Sequence, residues 1–156
     1  DGLGRLSQNI AVGITPDKKD LVTPVSYDMV GRQDKNYLSF KAATSGDFVE
    51  NAINLQQQYY QTIYPGKASY TETVYEESPL NRVLEQVSPG NQKGGASVKF
   101  NYRTNISNEV VLWEVNSANN LIKSGFYQPS TLYKNEVKDE NYNINIEYKN
   151  KQGRWF

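Results

Sequence analysis

Apolar and polar residues alternate with a period of two along most of this chain, and turn residues cut the alternation into short runs. That pattern predicts half-buried antiparallel strands. Residues 6–12 and 21–27 read as one hairpin around a turn at 13–20, punctuated by Pro16 and Asp17. Pro24 has no N–H to donate, which places the second strand at a sheet edge or at a bulge. Residues 33–40 open the next hairpin. Further strands are expected over 69–77, 82–87 and 96–103, the last with Val98, Phe100 and Tyr102 on one side. A strand over 109–115 holds Val111, Trp113 and Val115 in phase, so Trp113 is read as core. Residues 104–108 are taken as the turn pairing these last two strands. Strands over 121–127, 131–138 and 144–148, the last pair turning at 139–143, bring the count to about ten.

Between residues 44 and 64 the period lengthens to that of a helix. Phe48, Ala52, Leu55, Tyr59 and Ile63 fall on one face, with Asn and Gln opposite, and Pro65-Gly66 ends the run. Asp47 with Glu50 resembles a capping box, and Ser45 is an alternative cap. The expectation is a helix over about 47–63, inside an insertion at about 44–66, lying on one sheet face. The fold class is therefore mainly β, built of antiparallel hairpins with one covering helix, in a single domain over 1–156.

One unit recurs. Tyr27-Asp28-Met29-Val30-Gly31-Arg32 is echoed at the start by Asp1-Gly2-Leu3-Gly4-Arg5 and near the end by Tyr148-Lys149-Asn150-Lys151-Gln152-Gly153-Arg154. A looser copy, Tyr75-Glu76-Glu77-Ser78-Pro79-Leu80-Asn81-Arg82, has two extra residues and Asn81 in place of glycine. Each reads as strand, tight turn, strand. Gly4, Gly31, Asn81 and Gly153 suit a backbone with positive φ.

Tyr-Asp-x-x-Gly-Arg is the hallmark of RHS/YD-repeat proteins, which this chain resembles. The set of motifs, including Val22-Thr23-Pro24 before Tyr27-Asp28 and Lys138-Asp139-Glu140-Asn141 before Gly153-Arg154, is similar to an uncharacterised domain. That domain lies toward the N-terminal side of the repeats in large RHS proteins of Bacteroidetes. The resemblance implies a scaffold: hairpins coiling into a curved sheet or partial β-shell on a secreted or cell-surface bacterial protein, read as a fragment of it. Implied partners are the remaining repeats, with an encapsulated C-terminal toxic domain or cell-surface glycans beyond them. The spacing between the motif arginines grows from 27 to 50 to 72 residues, so the simple repeat is heavily inserted. Tyr142 stands where the family's turn often has glycine.

Composition narrows the chemistry. Seventeen basic and 17 acidic residues cancel, leaving neither a nucleic-acid nor a membrane-surface footprint. No apolar run approaches the roughly 20 residues that span a bilayer. The chain has no cysteine and no histidine, which excludes disulfides, triads based on those residues and the usual zinc ligand sets.

No catalytic residue, cofactor or metal is assigned. Asp28 is read as the start of a turn rather than a calcium or catalytic carboxylate. Arg5, Arg32, Arg82 and Arg154 are read as one repeated contact, each stem packed on a tyrosine, rather than as a ladder for an anionic partner. Glu76-Glu77 and Asp139-Glu140 are read as solvated turn and strand ends rather than a glycosidase pair. Trp155 and Phe156 are expected to be partly exposed, and the Asn105-Ile106-Ser107 sequon carries no weight in a bacterial protein. Exposed Tyr and Trp would suit the alternative reading, carbohydrate or surface recognition.

Overall fold

The computed structural model describes residues 2–155; Asp1, which opens the first motif, and Phe156 lie outside the described residues. Eleven strands and one helix are found among the described residues. Strands β1 (Gln8–Ala11), β2 (Asp20–Pro24), β3 (Lys35–Tyr37) and β4 (Phe40–Ala42) precede helix α1 (Ala52–Ile63). Then come β5 (Tyr70–Tyr75), β6 (Val83–Val87), β7 (Val98–Thr104), β8 (Val111–Val115), β9 (Leu121–Phe126), β10 (Tyr133–Lys138) and β11 (Ile144–Lys149). The chain is mainly β, its sheets open and antiparallel, and none of its helices is long and apolar enough to cross a membrane among the described residues. It divides into two compact units, Asp1–Ser97 and Val98–Phe156, each described by itself below.

In the first unit β2 lies between β1 and β4, with Ile10 opposite Val22 and Val22 opposite Phe40. The helix lies on β2 and β4. Val22, Phe40, Val49 and Ala52 form the buried cluster, and Ile10, Ala42, Tyr59 and Tyr60 pack around it. Pro24 is buried on the central strand, not at an edge. The sheet tolerates it because pairing with β4 stops at Val22, so the missing donor lies beyond the partner's end.

Residues 33–40 do not form one strand. β3 pairs with β5 while β4 pairs with β2, so the chain changes sheets at Leu38-Ser39. That crossing is bonded on every side. The Leu38 N–H donates to Ser69 O at 3.0 Å, and the Leu38 carbonyl accepts from Gln56 Nε2 at 3.1 Å. The Ser39 hydroxyl meets that of Thr23 at 2.6 Å, and its carbonyl accepts from the Tyr60 hydroxyl at 2.7 Å.

The helix departs from the expected register. It begins at Ala52, not 47, and its N-cap Asn51 is left-handed with no side-chain cap, so the Asp47/Glu50 box is not formed. Ala52 and Gln56 are its buried residues, whereas Phe48, Leu55 and Ile63 are exposed. The reason is polar. Gln56 is fully buried and donates to the carbonyls of Leu38 and Ser69, while its Oε1 accepts from the Ser69 hydroxyl at 2.9 Å. A buried amide with all its bonds made is a stable helix–sheet contact, and it turns Leu55 toward solvent.

In the second unit β10 lies between β7 and β11, Tyr133 facing Thr104 on one side and Lys149 on the other. β8 and β9 form a separate two-stranded ribbon, Val115 opposite Leu121, with an irregularity between Leu112 and Trp113. The expected hairpin across 104–108 is therefore absent: β7 pairs with β10, not with β8. Asn105 explains the geometry. It is 1 % exposed, its Nδ2 donates to Gln128 O, and its Oδ1 accepts from the N–H groups of Thr131 and Leu132. One side chain thus ties the outgoing chain to the returning chain at the base of the ribbon. Among the described residues no further strand pairs with the ribbon, and Trp113, read as core, is 55 % exposed.

Candidate functional site

The described chain turns repeatedly by one device. In the segment Asp28–Arg32 the Asp28 N–H donates to Arg32 O and the Gly31 N–H to Asp28 O. Asp28 Oδ1 accepts from the N–H groups of Val30 and Arg32. The same set, with Asn or Asp as acceptor, closes Asn116–Asn120, Asp139–Asn143 and Asn150–Arg154. Thr15–Lys19 is a variant using a hydroxyl. In each, the fourth residue has positive φ: Lys18, Gly31, Asn119, Tyr142 and Gly153. This is a three-residue hairpin loop with a left-handed residue before the returning strand. Gly4 and Asn81 are left-handed as well, as expected for the residue before each arginine.

The first unit adds a lateral link between its turns. The Arg5 guanidinium lies 4.1 Å from the centre of the Tyr27 ring, and Arg32 lies 4.5 Å from that of Tyr75. Each arginine therefore stacks on the tyrosine of the next motif. Gly31 sits beneath Arg5, where an added Cβ would stand 3.3 Å from Nη1. One motif later Asn81 occupies the same position and accepts from Arg32 Nη1 at 2.7 Å. Arg32 Nε also donates to Asp28 Oδ2 at 2.7 Å, and the Tyr27 hydroxyl donates to Leu6 O. Arg82 holds Glu76 through Nε and Nη2, with Ser78 donating to the same carboxylate. Cation on ring, with the stem packed alongside, is a contact that survives at a surface.

The carboxylates have structural partners. Arg82 and then Ser78 pull Glu76 down to about 2. Asp28 is lowered first by the Arg32 N–H and then by the Arg32 guanidinium, and Asp139 first by the Asn143 side chain. Asp20, taken by the sequence reading as part of a turn, is 2 % exposed at the start of β2. The Thr44 hydroxyl and the N–H groups of Gly13 and Gly46 saturate it and lower its pKa. No local pattern announces that residue, because two of its three partners lie 24 and 26 residues away.

Tyr148 and Arg154, in the second unit, do not repeat the stacking. Glu109 and Lys134 pair at 2.6 Å beside Tyr148, with Glu109 lowered and Lys134 raised by each other and the Tyr148 hydroxyl raised chiefly by burial. Arg154 serves the Asn150 turn through its backbone N–H and C=O. Lys149 covers the Trp155 ring at 3.6 Å, with Trp155 61 % exposed.

Among the described residues no group of three or more Asp, Glu, His or Cys side chains is placed to hold a metal ion. These side chains bond chiefly to the backbone of the turns and to one another. One family model matches the sequence, that of DUF6443, a domain of unknown function, over residues 1–104. No curated protein and no solved structure matches it. Since the match spans residues 1–104 of 156, the chain belongs to the DUF6443 family of domains.

Proposed function

We propose that this chain is a non-catalytic structural module of an RHS-type bacterial protein, secreted or displayed at the cell surface, where it forms part of a curved β-shell. The observation that carries the reading is the serial link in the first unit, Arg5 to Tyr27 and Arg32 to Tyr75. A contact that joins one motif turn to the next has a direction along the chain, and it can be extended by any further hairpin bearing the same motif. The buried polar side chains support the same reading. Asp20, Gln56 and Asn105 have their bonds made within the fold and serve backbone order. Its partners on this reading are further repeats of the parent protein, with an enclosed C-terminal domain or surface glycans beyond them.

The alternative, carbohydrate or surface recognition, draws on the exposure of Trp113 and Trp155. Stacking on sugars favours flat, coplanar rings. The ring pairs found among the described residues are Tyr37–Tyr70, Phe40–Tyr59 and Tyr59–Tyr60, at interplanar angles of 60°, 50° and 79°.

Thermal unfolding of the chain alone, with calcium and with a panel of glycans separates the two. A ligand at about 100 times its Kd adds roughly 2.7 kcal/mol and raises the melting temperature. Unfolding that neither calcium nor any glycan moves is expected of the scaffold; a clear shift with one sugar class would replace it with the recognition module.

A further inference from the structure

The last strand of the second unit has an open edge, and the chain itself begins to close it. Among the described residues β11 has β10 on one side and no strand on the other. Beyond β11 the chain turns back through Asn150–Arg154, and Lys149 then pairs antiparallel with Trp155 on the open side. That bridge is the first rung of a ladder and fixes both direction and register. With Lys149 opposite Trp155, the second residue after Trp155 faces Glu147, the third faces Ile146 and the fifth faces Ile144.

The backbone of β11 is in phase for such a partner. The Asn150 N–H donates to Arg154 O, toward the returning chain. Main-chain groups alternate in direction along a strand, so the N–H and C=O of Ile144 and Ile146 face the open side too. The other hairpin gives the same answer independently. The Asp139 N–H donates to Asn143 O, which by the same alternation turns Asn145 and Glu147 toward β10. The side chains agree. Ile144 and Ile146 share one face of β11 with Tyr148, and they are 55 % and 42 % exposed. An edge with unpaired backbone and exposed β-branched residues is a template for a further strand, and native sheets cover or blunt one.

We infer that the open edge of β11 is covered by an extended segment delivered through the Asn150–Arg154 turn. Its apolar residues face Ile146 and Ile144, and a basic residue faces Glu147, sharing that carboxylate with Lys149 at 3.7 Å. The inference rests on the scaffold reading above and gives it an attachment edge and a register. A segment of the opposite phase would set its apolar side chains against Glu147 and Asn145. A second copy of β11 laid along the whole edge would displace Trp155, whose ring Lys149 covers at 3.6 Å.

The test compares the 156-residue chain with three versions lengthened after Phe156. One adds Lys-Val-Thr-Val, one the reversed alternation Val-Lys-Val-Thr, and one Lys-Pro-Thr-Val, whose proline has no N–H to give Ile146. Amide exchange read by NMR should slow at least about tenfold at Ile144 and Ile146 with the first tail. Asn145 and Glu147, turned toward β10, should change little. The other two tails should leave Ile144 and Ile146 near their rates in the unlengthened chain. Gly153→Val should cancel the effect of the first tail, because the turn with φ 79 at that glycine sets the register. Three results would overturn the inference. They are no slowing with any tail, equal slowing with the first and the reversed tails, or slowing in the unlengthened chain as its concentration rises. The last would give the edge to a second copy. The scaffold reading is decided separately, by melting shifts with ligands, so its failure and the failure of this pairing are told apart.

Discussion

The two units turn their chains in the same way and hold themselves together differently. In the first, Val22, Phe40, Val49 and Ala52 are buried beneath a helix, and its motif turns are joined by Arg5 and Arg32. In the second, Leu132 is the buried hydrophobic residue among the described residues, while Trp113, Val115, Leu121, Ile144 and Ile146 are exposed. Its order comes from strand ladders, from the turns at Asn116, Asp139 and Asn150, and from the buried amide of Asn105. Local turn chemistry is enough to shape a hairpin. Burial under a second layer is what gives the first unit a core.

The sharpest way to break that comparison is to truncate one large apolar side chain in each unit. Phe40→Ala should cost about 3–5 kcal/mol by leaving a cavity under the helix. Trp113→Ala should stay within about 0.5 kcal/mol, since the ring already meets solvent. Denaturant unfolding measures both, and a large loss at Trp113 would mean that the ribbon is covered in solution.

Next in size is the link between turns. Gly31→Val should destabilise by about 1–2 kcal/mol, because a β-branched residue is poorly accommodated at positive φ and the new Cβ meets Arg5. A near-neutral result would remove the turn assignment. The opposite change is available in the second unit, where Tyr142 holds φ 68. Tyr142→Gly should stabilise by about 0.5–1 kcal/mol, read from the denaturation midpoint, by relieving that strain.

The smallest effect is confined to acid. Glu76 is ionised down to about 2 in the fold, against 4.5 for the free group. Its contribution is therefore fully present above about 4.5 and fades as pH falls toward 2. Melting temperatures from pH 6 to 2 should fall less steeply for Glu76→Gln than for the unaltered chain. Parallel curves would mean that the Arg82 pair adds nothing to stability.

The turns were legible in the sequence because their bonds reach no further than four residues, from Asp28 to Arg32 or from Asn150 to Arg154. Positive φ at Gly31 and Asn81 followed from that local reading, and a tyrosine under Arg5 and Arg32 from the recurrence of the motif. The helix face was not legible. Apolar spacing favours Phe48, Leu55 and Ile63, and only Ser69 and Leu38, distant in sequence, make burying Gln56 favourable. Strand partnership failed for a similar reason. β7 and β8 are neighbours in sequence, but Asn105 diverts the chain between them and leaves β10 as the partner of β7.

Surface connections are where proteins usually lengthen during evolution, because a longer loop costs little closure entropy. Leu38-Ser39 is an exception. Its two residues are clamped at once by Thr23, Gln56, Tyr60 and Ser69. An added residue there would dislodge both sheets and the helix together. Length variation among related sequences should therefore gather in stretches such as 88–95, and the distance between Tyr37 and Phe40 should stay fixed.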